Sequence, residues 1–143
     1  MNNKFKGIKT SLSNIDFAFI EPRKEETINV KISDKISIIE IKDDSIDFYA
    51  SRKLDFENLN NSHLEVKFKT TILLNDTINK NEFEDILKSN NNNLLSGMVF
   101  SKISLIISNL SSQSTLGIIV TPPFYNTKEL QIDWLINNVK RNC

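Results

Sequence analysis

The side chains that perform most enzyme chemistry are sparse in this chain of 143 residues, which contains one histidine, His63, and one cysteine, Cys143. A serine or cysteine nucleophile normally needs a histidine as its base. His63 lies between two predicted strands, and no glycine-rich turn flanks it, so it lacks the usual setting of such a base. We therefore predict that His63 is a solvated loop residue and that the protein is not an enzyme.

The acidic residues and the glycines give equally little support for a metal or nucleotide site. Asp43, Asp44 and Asp47 are close enough in sequence to attract a cation, but the glycine and glutamate of a calcium loop are missing. The histidine and the cysteine have no second ligand at zinc-site spacing. Three widely separated glycines cannot build a phosphate-binding loop. We expect the three aspartates to be turn residues, and we expect no cofactor and no metal.

The composition predicts one folded domain over residues 1–143, because 39% of the residues are hydrophobic and the length suits a single core. The 18 basic and 18 acidic residues cancel, so the chain lacks the net charge that attracts nucleic acid or anionic membranes. No apolar stretch approaches the ~20 residues of a membrane-spanning helix, and the first residues lack the apolar run of a signal peptide. With one thiol, a reducing cytoplasm is the expected compartment.

Alternating apolar and polar residues predict an antiparallel sheet in the first half of the chain. The clearest alternation runs from Leu64 to Ile72, which is typical of a strand with one buried face. Further extended segments are predicted at 15–19, 28–32, 36–41 and 46–56. The polar residues 42–45 suit a hairpin turn, so the segments on either side should pair. We predict an α+β fold with a four-stranded antiparallel sheet.

Two helices are predicted to cover one face of this sheet. Apolar residues at three- and four-residue steps indicate a long helix at 94–110. Its apolar surface exceeds one face, which favours contact with a second subunit through four candidate residues: Leu95, Met98, Ile103 and Leu105. The pair Asn126 and Glu129 resembles a capping box and predicts a second helix at 127–140. Between the helices, Pro122 and Pro123 force an extended crossing over the surface.

Aromatic residues are the most informative side chains that remain. Two readings are open: an ordinary core with scattered surface aromatics, or a groove that binds an apolar partner. Neighbours on a strand point to opposite faces, so Phe48 and Tyr49 cannot both face the helices. The candidate binding residues are Phe17, Phe48, Tyr49, Phe124, Tyr125 and Trp134.

The order of elements and four local stretches resemble the SecB family of protein-export chaperones. Residues 106–112 (IISNLSS) are similar to the end of the family's long helix, and residues 118–124 (IIVTPPF) to its proline-containing crossover. Asn93-Leu94-Leu95 and Phe100 match the start of that helix. Residues 12–17 (LSNIDF) are similar to the first strand. The specific part of the resemblance is confined to residues 93–125.

This resemblance implies a SecB-like, ATP-independent molecular chaperone for protein transport. It would bind unfolded or extended polypeptide clients in hydrophobic grooves and assemble as a homotetramer, a dimer of dimers. Family members dock to the SecA motor through an acidic patch, of which this neutral chain keeps only Glu40, Asp43, Asp44 and Asp47. The alternative is a dedicated or antitoxin-associated binding protein on the same fold, with one specific protein partner.

Overall fold

A five-stranded sheet forms the frame of the molecule. The computed structural model describes residues 5–19, 29–57, 59, 62–89, 96–114 and 117–135. The strands are β1 (Phe5–Ala18), β2 (Val30–Ile41), β3 (Ser45–Phe56), β4 (His63–Leu74) and β5 (Gln131–Trp134). Their order is β1-β4-β3-β2-β5. The first four strands pair antiparallel, and β5 runs parallel to β2. The α+β class is confirmed, and the sheet has a fifth, parallel strand that we did not predict.

Two helices follow β4 in sequence. Helix α1 (Lys80–Leu87) begins with a capping box, in which the Asn79 side chain accepts a hydrogen bond from the main-chain N–H of Glu82 at 2.8 Å. A π-helical segment (Ser96–Phe100) then continues directly into α2 (Ser101–Ser112). The predicted long helix is therefore confirmed from residue 96 onward, and residues 94 and 95 lie outside the described part.

Side chains alternate between two faces of the sheet. The even-numbered residues of β3 and β4 lie on the face that the helices cover, here called the covered face. Their odd-numbered neighbours form the open face. Phe48, Leu54 and Val66 are fully buried on the covered face, and the ring of Phe83 from α1 lies 5.9 Å from that of Phe48. Helix α2 packs against β4 on the same side. The core therefore lies between the covered face and the helices.

The predicted helix at 127–140 is wrong for residues 127–135, and residues 136–140 lie outside the described part. Asn126 starts a single turn, in which its carbonyl accepts hydrogen bonds from the N–H groups of Glu129 and Leu130. The chain then extends into β5, where Ile132 and Trp134 align with apolar residues of β2. The Trp134 indole also donates to Glu84 of α1 at 2.6 Å. Pairing with the free edge of β2 satisfies main-chain groups and apolar side chains together, so the extended form prevails over the helical pattern.

His63 is the first residue of β4, so our prediction of a loop position is wrong. Its Nε2 lies 3.1 Å from a carboxylate oxygen of Asp16 on β1. The register places His63 opposite Ala18, so Asp16 is its diagonal neighbour, two residues along β1. The pairing of β1 with β4 therefore includes the first residue of β4.

Candidate functional site

A buried arginine anchors the most unusual part of the covered face. Arg52 of β3 is 1% exposed and lies directly opposite Asp34 of β2. Its Nε donates to Asp34 Oδ1 at 2.7 Å, and its Nη2 donates to Asp34 Oδ2 at 2.9 Å. This two-point geometry is the strongest arrangement available to an arginine and a carboxylate. The carboxylate therefore balances a charge that is otherwise costly to bury.

The rest of the guanidinium holds the crossing segment, which we define as residues 117–126. Nη1 donates to Thr121 Oγ1 at 2.9 Å and to the carbonyl of Pro122. Nη2 also donates to the carbonyl of Phe124 at 3.0 Å. With the two bonds to Asp34, all five N–H donors of the guanidinium are used. The crossing segment is therefore tied to the sheet at three points by one side chain.

Three serines on one side of α2 bind the crossing segment from the other direction. Ser104 Oγ donates to the carbonyl of Thr121 at 2.5 Å, and Ser108 Oγ donates to that of Ile119 at 3.0 Å. The N–H of Ile119 donates to Ser111 Oγ at 2.8 Å. Steps of four and three residues place these serines on one side of a helix. Their side chains bind the main chain of a segment that pairs with no strand among the described residues.

Tyr125 anchors the carboxyl end of the crossing segment. Its hydroxyl donates to the carbonyl of Leu87, at the end of α1, at 2.7 Å. Its ring lies 5.2 Å from that of Phe100, which also lies under the guanidinium of Arg52 at 5.4 Å. The crossing segment therefore connects α1, α2 and the sheet.

The outward side of the crossing segment carries Phe124 and the two most exposed large apolar side chains of the described residues, Ile118 and Val120. Ile118 is 69% exposed, Val120 80% and Phe124 56%. We call these three side chains the crossing surface. In an extended chain, successive residues direct their main-chain groups to opposite sides. Ile119 and Thr121 direct theirs to the serines of α2, and within the described residues the N–H and C=O groups of Ile118 and Val120 have no hydrogen-bond partner.

The six predicted binding residues do not form one site. Phe48 is fully buried and Tyr125 is 4% exposed. A binding residue must be accessible to its partner, so the prediction is wrong for these two: α1 covers Phe48, and Tyr125 points into the core. Phe124 remains exposed on the crossing surface.

The other three predicted binding residues lie apart from the crossing surface. Tyr49 is half-buried on the open face, where the Lys67 ammonium lies 5.5 Å from the centre of its ring. Phe17 is half-buried near the end of β1, and its ring lies 6.4 Å from that of Phe19. Trp134 is half-buried on β5, at the opposite edge of the sheet from β1.

The predicted interface residues of the long helix fall into two groups. Met98 is 43% exposed and Leu105 is 62% exposed, so both are available to a partner. Ile103 is fully buried in the protein's own core. Its assignment to an interface is therefore wrong, because it faces the sheet. Leu95 lies outside the described residues.

The acidic patch named in the sequence lies around the β2–β3 turn. Lys42 Nζ lies 3.3 Å from Asp47 and 4.0 Å from Glu40. The hydrogen bond and the charge of Asp47, together with the charges of Glu40 and Asp44, hold the pKa of Lys42 above its usual value. Thr71 also donates to Asp47 at 2.7 Å. A lysine that stays charged therefore offsets part of this patch.

No protein-family model matches the chain, and no curated protein matches it significantly. In the described part of the chain, neither helix is long and apolar enough to cross a membrane. The described residues also include no group of three His, Cys, Asp or Glu side chains that could hold a metal ion.

Replacing Arg52 by methionine should destabilise the protein by about 3–5 kcal/mol, because it leaves Asp34, whose side chain is only 10% exposed, without its counter-charge. The free energy of unfolding from urea denaturation measures the effect. Lys53→Met is the matched control, since Lys53 is the exposed next residue of β3, and it should change stability by less than about 0.5 kcal/mol. Equal stability of Arg52→Met and the wild type would contradict the role given to this side chain.

Proposed function

We propose that this protein binds unfolded or extended segments of other polypeptides without ATP, as a chaperone of the SecB kind. The observation that carries the proposal is the crossing surface, in which Ile118, Val120 and Phe124 are held in contact with solvent. Exposed apolar side chains that lie close together are typical of a site that binds a partner. The bonds from Arg52 and the serines of α2 hold the segment in this arrangement.

A client would be bound through two kinds of contact. Its apolar side chains would pack on the crossing surface, and its main chain would pair with the outward N–H and C=O groups of Ile118 and Val120. Pairing of this kind adds a strand to an exposed edge and accepts any sequence, while the side-chain contacts select apolar segments. The same residues of the client therefore supply both affinity and breadth.

The affinity for any one client segment should be low. Full burial of one aliphatic or phenyl side chain contributes about 1.5–3 kcal/mol, and ordering the client opposes this gain. A protein that binds the unfolded state and ignores the native one delays client folding by mass action. The mechanism needs no covalent step, nucleotide or metal. It suits a cytoplasmic protein that keeps precursors unfolded for export.

The acidic patch around the β2–β3 turn plays no part in this proposal. Lys42 lies against two of its carboxylates, so the turn offers a reduced negative charge to the SecA motor. We therefore assign client binding to this chain and leave motor docking out. The second candidate, a binder of one specific partner, is favoured by the small extent of the crossing surface, which fits one short segment.

Replacing Ile118 and Val120 together by serine should weaken the suppression of client aggregation by at least about tenfold, because the lost burial amounts to a few kcal/mol. Light scattering of several unrelated reduced, unfolded proteins measures the effect. The melting temperature should change little, since both side chains are exposed and truncating them leaves no cavity.

Leu12→Ser is the matched control for this experiment, because Leu12 is also an exposed apolar residue, at 47%, but lies on β1. It should suppress aggregation as the wild type does. Equal loss in both variants would show that general surface hydrophobicity, and not the crossing surface, captures clients. Suppression for a single partner only would favour the dedicated binder.

The proposal also includes assembly into a dimer of dimers through the outer side of α2. Leu105→Glu should split the assembly, because an unpaired charge buried at an interface costs about 3–5 kcal/mol. Light scattering coupled to size-exclusion chromatography gives the molar mass. Lys128→Glu, in the exposed turn before β5, is the control and should leave the mass unchanged. A wild-type mass equal to one chain would contradict this part of the proposal.

A further inference from the structure

The open face of the sheet carries a cluster of three lysines that the crossing surface does not involve. Lys67 and Lys69 are on β4, and Lys9 is on the neighbouring strand β1. We call them the lysine cluster. Residues two apart on a strand point to the same face at a spacing of about 6.6 Å, and diagonal neighbours on adjacent strands lie about 7–8 Å apart. Lys67 and Lys69 are therefore same-face neighbours on β4, and Lys9 is the diagonal neighbour of Lys69 on β1.

No acidic residue lies directly opposite a member of this cluster in the sheet register. Lys9 is opposite Thr71, and Lys69 is opposite Ser11 and Tyr49. Lys67 is opposite Asn14 and Ser51. Within the described residues none of the three lysines forms an ion pair.

Other cations on the open face differ in this respect. Lys53 lies 3.6 Å from Asp55, and Lys35 lies 3.5 Å from Asp133. Like charges held side by side on a sheet repel one another. The lysine cluster is thus a local concentration of positive charge on a chain whose net charge is zero.

We propose that the lysine cluster binds an acidic segment of another polypeptide, in an extended conformation with carboxylates at alternate positions. Alternate side chains of an extended segment point the same way and are spaced by about 6.6 Å, which equals the spacing of Lys67 and Lys69. The uncharged residues around the cluster, such as Ser11 and Asn14, supply hydrogen-bond donors to carboxylates. The proposal concerns the face opposite the crossing surface, so it stands or falls independently of client capture.

A nucleic acid fits this surface less well. Single strands bind to sheets through several aromatic rings on which successive bases stack. Tyr49 is the one aromatic side chain among the register neighbours of the lysine cluster, and Lys67 lies over its ring. Asp16 and Glu65 flank the cluster on one side and Asp47 on the other. A phosphate backbone longer than the cluster would meet these carboxylates, whereas a short acidic segment would not.

Fluorescence anisotropy with a labelled short peptide of alternating glutamate and threonine tests the proposal on the full chain. The peptide should bind, and its glutamine counterpart should not. Lys67→Gln combined with Lys69→Gln should weaken binding by up to about thirtyfold, and by more than the control variant below, as expected for the loss of two exposed charge pairs. Added salt should weaken it as well, because it screens exposed charges. In an NMR titration the amides of Tyr49 and Lys69 should shift.

Lys102→Gln combined with Lys128→Gln removes the same charge from exposed positions elsewhere and is the matched control, which should keep affinity within about twofold. Lys69→Gln alone, at an exposed position, gives a second variant should the double variant unfold. Equal binding of the glutamate and glutamine peptides, or equal loss in the control, would overturn the proposal. Tighter binding of a single-stranded DNA oligomer through the same lysines would also overturn it, in favour of nucleic acid.

Discussion

The burial of Arg52 is the constraint on which the rest of the candidate site depends. A guanidinium in the core must have every donor occupied, because each unsatisfied donor keeps its full desolvation cost. Asp34 takes two of these bonds, and the crossing segment supplies the other three through Thr121, Pro122 and Phe124. Burial of the Arg52 guanidinium therefore requires β2 and the crossing segment to be in place together. The serines of α2 hydrogen-bond to the main chain of the same segment at Ile119 and Thr121. The side chains of Ile118 and Val120 are left exposed to solvent.

Much of the fold could be predicted from hydrophobic periodicity. The alternation in β4 and the three-to-four spacing in α2 each fit one structure only, because one buried face dominates each element. The carboxyl-terminal region was ambiguous, since Ile132 fits a helical stripe and a strand face equally well. The edge of β2 decides the outcome, and an available strand edge is a property of the assembled sheet that local sequence does not show. The single aromatic residue Trp134 then joins β5 to α1.

The candidate site was only partly predictable. The two prolines correctly indicated a crossing segment without helix, and one of the six candidate binding residues, Phe124, lies exposed on it. Arg52 was missed, although its position carried a signal: it interrupts the apolar alternation of β3 between Ala50 and Leu54, as Asp34 interrupts that of β2. Opposite charges at apolar-face positions of two predicted neighbouring strands indicate a buried ion pair. The serines of α2 gave no comparable signal, because serine on a helix is equally typical of solvent exposure.

Hydrogen exchange of single amides, followed by NMR with and without an unfolded client, tests the central claim most directly. Our account predicts that the amides of Ile118 and Val120 become protected on client binding, because they gain hydrogen-bond partners there. The amide of Ile119 already donates to Ser111 and should keep its exchange rate. Client-induced protection confined to other parts of the molecule, with Ile118 and Val120 unchanged, would contradict the assignment of the crossing segment as the binding site.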